Sequence, residues 1–255
     1  MARPDFAVEP KGASGCVVVF HEIWGLAEHT RDVCKRLGRL GFAAAAPNLY
    51  KGHDELLTPS NVRAAMEVVW DLSLEERRDK TKVKAVLARK KPGREVADAV
   101  TTLYDPGFRE QLLVTATELV ENSSGRFGGV STMGFSFGGG VSLRVATRTQ
   151  KLKSAIAYCG EPPEEVSKIS CPMLAVYADE DGFMNRRVPG FVEASTRAGK
   201  DLTIKTLPGA NHEFFDYTKK ATYNREAAEE AWKVTTWFLA RTLGTPKRAR
   251  GALQA

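Results

Sequence analysis

The chain is poor in histidine and cysteine, with four of each in 255 residues. Cys16, Cys34, Cys159 and Cys171 form no Cys-x-x-Cys pair, and no Cys/His cluster has zinc-ligand spacing. Zinc fingers and dithiol redox sites are therefore not expected, and neither a metal nor an organic cofactor is implied. Buried, reduced thiols are the expectation, with a structural disulfide as the alternative. Long apolar runs are also missing. The longest, Gly41 to Pro47, is far too short to span a bilayer, so no membrane association is expected. Met1 to Pro10 is charged and mixed, without the apolar stretch of a secretory signal, and the expected location is the cytoplasm.

What remains is the composition of a soluble globular protein, 43% apolar and 27% charged. The length suits one α/β unit with a core that needs no staples. The net charge is +6. Much of the excess lies between Arg77 and Arg94 and in the tail at Lys247, Arg248 and Arg250. Such runs read as solvated helix faces and a frayed terminus, so no nucleic-acid partner is expected. Salt-dependent binding of DNA through the tail is the non-enzymatic alternative. Residues 246–255 are basic and expected to be disordered.

Cys16 to Phe20 is a β-branched run that reads as a buried parallel strand. A helix is expected from Glu28 to Leu40, closed by Gly41, and a strand from Phe42 to Ala46. Strand, helix and strand in so few residues make a βαβ unit and hence a parallel sheet. From Lys51 to Pro106 the rhythm breaks into helical patterns only. Val62, Met66, Val69 and Trp70 share one face after a Thr58-Pro59 start, and Ser73 with Glu76 forms a capping box for a second helix. The segment is too long for a simple connection and reads as a helical cap, residues 51–106, inserted into a core of 1–50 and 107–245. Further on, helices are expected at Phe108 to Val120, Gly138 to Thr147, Arg187 to Ala198 and Asn224 to Leu243. Strands are expected at Val130 to Met133, Lys153 to Cys159, Met173 to Tyr177 and Leu202 to Leu207.

Gly134-Phe135-Ser136-Phe137-Gly138 matches Gly-x-Ser-x-Gly between a strand and a glycine-started helix. In such an elbow the serine sits on a strained turn that lifts its hydroxyl clear of the sheet. The following amide, that of Phe137, points toward the substrate carbonyl. A serine needs a base, and the base an orienting carboxylate, in the chain order Ser, Asp or Glu, His. Only His212 follows Ser136, on a loop after a late strand. Asp179, Glu180 and Asp181 all follow the strand at Met173; Asp181, further into the loop, is favoured over Asp179.

Phe20-His21-Glu22-Ile23-Trp24-Gly25-Leu26, then Arg31-Asp32, then Gly41-Phe42 to Pro47-Asn48-Leu49-Tyr50, together with the elbow, resemble the dienelactone hydrolase family. The resemblance covers roughly residues 15 to 50 and 108 to 243. It implies an α/β-hydrolase fold, Glu22 beside the nucleophile, the Ile23 amide as second oxyanion donor, and Asp181 and His212 as acid and base. Two features differ. The best-known members carry a cysteine nucleophile where this chain has Ser136, and they hold the substrate carboxylate with an arginine shortly after the histidine. Here that stretch reads Glu213-Phe214-Phe215-Asp216-Tyr217.

The expectation is thus a mostly parallel α/β-hydrolase sheet with helices on both faces and a helical cap. It would act on carboxylic esters or lactones through an acyl-enzyme, as a monomer or homodimer, with Trp24 and Trp70 as candidate pocket residues. A thioesterase or peptidase on the same fold is the alternative.

Overall fold

The computed structural model describes residues 3–245. The basic tail expected to be disordered lies outside the described residues. The core is one seven-stranded sheet in the order β1-β3-β2-β4-β5-β6-β7. Its strands are β1 (Phe6–Val8), β2 (Cys16–Phe20), β3 (Ala43–Ala46), β4 (Val130–Phe135), β5 (Leu152–Tyr158), β6 (Met173–Ala178) and β7 (Leu202–Leu207). All adjacent pairs are parallel except β1 with β3. The short antiparallel β1 has no counterpart in the sequence reading, because three residues of alternating exposure carry too little pattern.

Strand β2 is buried along its whole length, and its side chains alternate between two cores. Val18 and Phe20 face one cluster and Val17 and Val19 the other. The second cluster is closed by α1 (Glu28–Leu40) and α9 (Arg225–Leu243). Gly41 ends α1 in the left-handed conformation, at φ 96°, its N–H on the last-turn carbonyls of Gly38 and Leu37. The first cluster is closed by α5 (Pro106–Ser124), α6 (Phe137–Ala146) and α8 (Val188–Arg197). The helix expected at Phe108 begins earlier, because Asp105 caps the Phe108 amide and Pro106 takes the first turn.

The region from 51 to 106 is helical. It contains α2 (Pro59–Val68), α3 (Lys80–Lys90) and α4 (Arg94–Leu103), and α2 packs on α4. Val62, Ala65, Val69, Val83, Val86 and Val100 join the same apolar cluster as the sheet residues Val18 and Phe20. Two local readings are corrected. The Ser73–Glu76 capping box does form, with reciprocal hydrogen bonds of 3.2 and 2.9 Å, but it caps a 3-10 turn at Glu76–Arg78. Helix α3 has its own cap, Asp79. Trp70 does not share the buried face of Val62 and Val69. The helix ends at Val68, two residues short of Trp70, and the indole is 69% exposed.

All four cysteines are buried and free. Among the described residues no helix is long and apolar enough to cross a membrane.

Candidate functional site

The carboxyl ends of β2, β4, β6 and β7 deliver the site, where ligands bind in open α/β sheets. Ser136 falls between β4 and α6 with φ 51° and ψ −113°, a conformation that costs on the order of 1–3 kcal/mol for a residue with a Cβ. The surrounding contacts hold it there. The Ser136 N–H donates to the Tyr158 carbonyl at 2.7 Å, and the Ser136 carbonyl accepts from the Gly140 N–H at 3.1 Å. The turn closes only without side chains on either side. A Cβ on Gly134 would collide with the Gly138 carbonyl, and one on Gly138 would collide with the carbonyls of Phe20 and His21.

Ser136 Oγ lies 2.7 Å from His212 Nε2, and His212 Nδ1 lies 2.5 Å from Asp181 Oδ2. Asp181 is buried, and its other oxygen accepts from the Met184 N–H at 3.1 Å at the start of a short helix, α7 (Gly182–Asn185). Asp179 points elsewhere. Its Oδ1 accepts from the Ala210 N–H at 3.2 Å, tying the β6 turn to the loop that carries His212. The structure thus separates two acids that sequence could only rank.

Burial works against a charged imidazole. The hydrogen bond and charge of Asp181, with the carboxylates of Glu22 and Glu213, outweigh it and hold His212 above the usual histidine value. Burial would also raise the Asp181 carboxyl, but the His212 partner and the backbone N–H donors hold it below the usual aspartate value. Each group favours the ionic form of the other.

Glu22, at the end of β2, is buried. Desolvation, then the neighbouring charges of Asp216 and Glu213, push its carboxyl up to about 7, against the opposing pull of Lys219 and His212. Ile23 and Phe137 line the same cavity as Ser136. The Ile23 amide makes no backbone hydrogen bond among the described residues, and Phe137, the first residue of α6, has no acceptor within its own helix. Neither amide has a backbone acceptor among the described residues.

The cavity over Ser136 measures about 860 Å³. Its walls include Trp24 from the turn after β2, Phe183 from α7, and Met66, Trp70 and Leu74 from the helical region between 51 and 106. Trp24 is held by several groups. Its indole N–H donates to Glu213 Oε1 at 3.0 Å, Lys219 Nζ sits 4.4 Å from its ring centroid, and Arg63 of α2 lies 5.4 Å from it. Trp70 lines the cavity from an exposed position.

Several lining residues escaped the sequence reading, notably Arg63, Arg77, Arg109, Arg144, Glu161 and Phe183. They carry no local motif; the fold alone brings them to one cavity. Cys159 was also missed as a neighbour. Its thiol, Asp181 and His212 present ligand-type atoms within 4.8 Å of one another, and burial keeps the thiol protonated. His21 serves structure: its Nε2 accepts from the Leu49 N–H at 3.0 Å, pinning the β2 and β3 loops together.

The comparisons with known proteins identify the family. The model of the dienelactone hydrolase family matches residues 4–243. A protein of Saccharolobus solfataricus named "Putative carboxymethylenebutenolidase" is 34% identical over 241 residues, covering 92% of this chain and 93% of its own length. Among solved structures, a dienelactone hydrolase-like promiscuous phosphotriesterase from metagenomic libraries superposes with a TM-score of 0.61 at 21% identity, covering 91% of this chain and 88% of that one. A dienelactone hydrolase from Anabaena variabilis gives 0.57 at 17% identity, covering 92% and 90%. With an α/β-hydrolase fold throughout and a family match over nearly its whole length, the chain is a hydrolase belonging to the dienelactone hydrolase family.

Proposed function

We propose that this hydrolase cleaves carboxylic esters or lactones through an acyl-enzyme on Ser136. One observation carries the reading: the unbroken hydrogen-bonded chain from Ser136 Oγ through His212 to Asp181, opening onto the large cavity. Ser136 Oγ attacks the carbonyl carbon while His212 Nε2 takes its proton. His212 then gives that proton to the leaving alcohol. Asp181 holds the proton on Nδ1 and stabilises the imidazolium. The Ile23 and Phe137 amides hold the oxyanion. Glu22 in its neutral form places no negative charge beside that oxyanion. The stretch Glu213 to Tyr217 has no arginine to hold a substrate carboxylate, which favours substrates other than dienelactone itself.

The pH profile tests the reading. His212 must be neutral to act as a base, and its pKa is raised. The rise of kcat/KM is therefore expected above the ordinary imidazole value of 6.5. Glu22 ionises near 7, where charge accumulates next to the oxyanion, and activity is expected to decline on the alkaline side. Glu22→Gln should remove the decline and keep the rise. A wild-type profile flat from pH 5.5 to 8, measured with a p-nitrophenyl ester, would show that His212 is not the base.

The insertion from 51 to 106 acts, in this reading, as a cap that supplies one wall of the pocket and, by excluding bulk water, strengthens the oxyanion contacts. Met66, Trp70 and Leu74 are placed to meet the bulky half of an ester. Trp70→Ala is expected to raise KM several-fold for a naphthyl or long-chain ester and to leave KM for the acetate within about twofold, an effect of roughly 1 kcal/mol for one partly exposed side chain. Equal effects on both substrates would reduce the cap to scaffold. A panel of esters, lactones, thioesters and peptides compared by kcat/KM separates the proposed activity from a thioesterase or peptidase on the same fold.

A further inference from the structure

Next to the main cavity lies a second one of about 380 Å³, running along α6 between the start of α5 and the loop at Pro163. Tyr104, Arg109, Phe137 and Arg144 line both, so these side chains form the partition. The charges at this partition do not balance. Arg78 reaches both oxygens of Glu161 at 2.8 Å and Glu164 at 3.1 Å, and Arg144 reaches Glu161 at 2.5 Å. Three guanidinium groups, Arg78, Arg109 and Arg144, therefore face two carboxylates, while the other acids lining the side cavity, Glu110 and Glu165, are paired with Arg148 and Lys168.

Arg109 is left over. Its Nε donates to the Leu103 carbonyl at 2.9 Å and its guanidinium lies 5.1 Å from the Tyr104 ring centroid. Among the described residues it has no carboxylate partner and no acceptor for its terminal nitrogens. Burial lowers its pKa, and the neighbouring cations Arg78 and Arg144 add to this against Tyr104 and Glu161. A bound anion would give its terminal nitrogens the acceptors they lack. Arg77, a buried arginine of the main cavity, differs from the half-buried Arg109: it is already spent on the carbonyls of Val69, Leu72 and Trp70.

The proposed hydrolysis produces an anion at Ser136, in the cavity that Arg109 also lines. Water adds to the acyl carbon and gives a proton to His212 Nε2, the bond to Ser136 Oγ breaks, and His212 passes that proton to Ser136 Oγ. The released acid gives up its own proton and becomes a carboxylate. It then stands among Glu180, Asp181 and Glu213, three acidic residues of the cavity wall. We propose that Arg109 is a carboxylate-binding site that takes the acid product from Ser136 toward the side cavity. The inference rests on the hydrolysis proposed above. A guanidinium in a partly desolvated wall suits the task, since its paired donors match a carboxylate and the low local dielectric strengthens the contact.

Benzoate is a suitable probe, because its binding is measured by calorimetry on the intact protein without turnover. Arg109→Gln is expected to weaken benzoate about tenfold, the scale of one charge-assisted pair at about 1.4 kcal/mol. Arg109→Lys should recover most of the affinity, and benzyl alcohol, of similar size without charge, should bind all three proteins alike. Wild-type affinity for benzoate in Arg109→Gln would overturn the proposal, as would no benzoate binding in the wild type or equal losses for benzoate and the alcohol. A rise in KM confined to an ester that itself carries a carboxylate, with benzoate binding unmoved, would assign Arg109 to the substrate and also overturn it. Benzoate binding that depends on Arg109 in a protein that hydrolyses no ester would sink the product role together with the proposed function. Ester hydrolysis with benzoate binding indifferent to Arg109 would sink the product role alone.

Discussion

Ser136→Ala is expected to lower kcat for a p-nitrophenyl ester by at least about 10⁴-fold while leaving the fold intact, the residual rate coming from oxyanion donors and binding alone. The elbow is held by its glycines and by the Ser136 N–H on Tyr158, neither of which involves the hydroxyl. Alanine keeps the Cβ that the strained φ already tolerates. Circular dichroism and melting temperature should therefore match the wild type. A phosphonate directed at serine should label the wild type at Ser136 and the variant nowhere. Full turnover in a well-folded variant would remove Ser136 from the chemistry, and with it the assignment of His212 as its base.

The second large effect separates the two candidate acids. Asp181→Asn should reduce kcat by roughly 10³–10⁴-fold, the scale expected when the orienting group imposes the wrong tautomer. The reason lies in the two contacts of Asp181. One oxygen meets His212 Nδ1 and the other accepts the Met184 N–H. An asparagine that keeps the Met184 contact turns its NH₂ toward His212. The ring proton then moves to Nε2, which can no longer accept from Ser136. Asp179→Asn keeps an oxygen for the Ala210 N–H and touches no other member of the chain, so its effect on kcat should stay within a few-fold. A large loss in Asp179→Asn with little change in Asp181→Asn would reverse the two roles.

Much of this arrangement was legible in sequence for local reasons. The elbow needs glycines whose missing side chains make room for specific carbonyls, and such a requirement shows directly in the letters. Strand β2 and helix α1 announce themselves through burial patterns that repeat within a few residues. His212 stood out because it alone follows the serine. Local pattern failed where length or position ran short. Strand β1 is too brief to show a period, and Trp70 continued the spacing of α2 beyond the point where the helix had ended.

The sequence by itself determined the βαβ rhythm of the parallel sheet and the strained serine turn, because each is written in residues that are neighbours along the chain. The choice of Asp181 over Asp179 as the partner of His212, separated only by which acid points at the imidazole, was made by the tertiary structure. So were the buried neighbourhood that raises Glu22 and the surplus guanidinium at Arg109. These rest on distances between groups far apart in sequence. Charge and burial act through space, and the folding of the 51–106 helices against the sheet end brings those groups together.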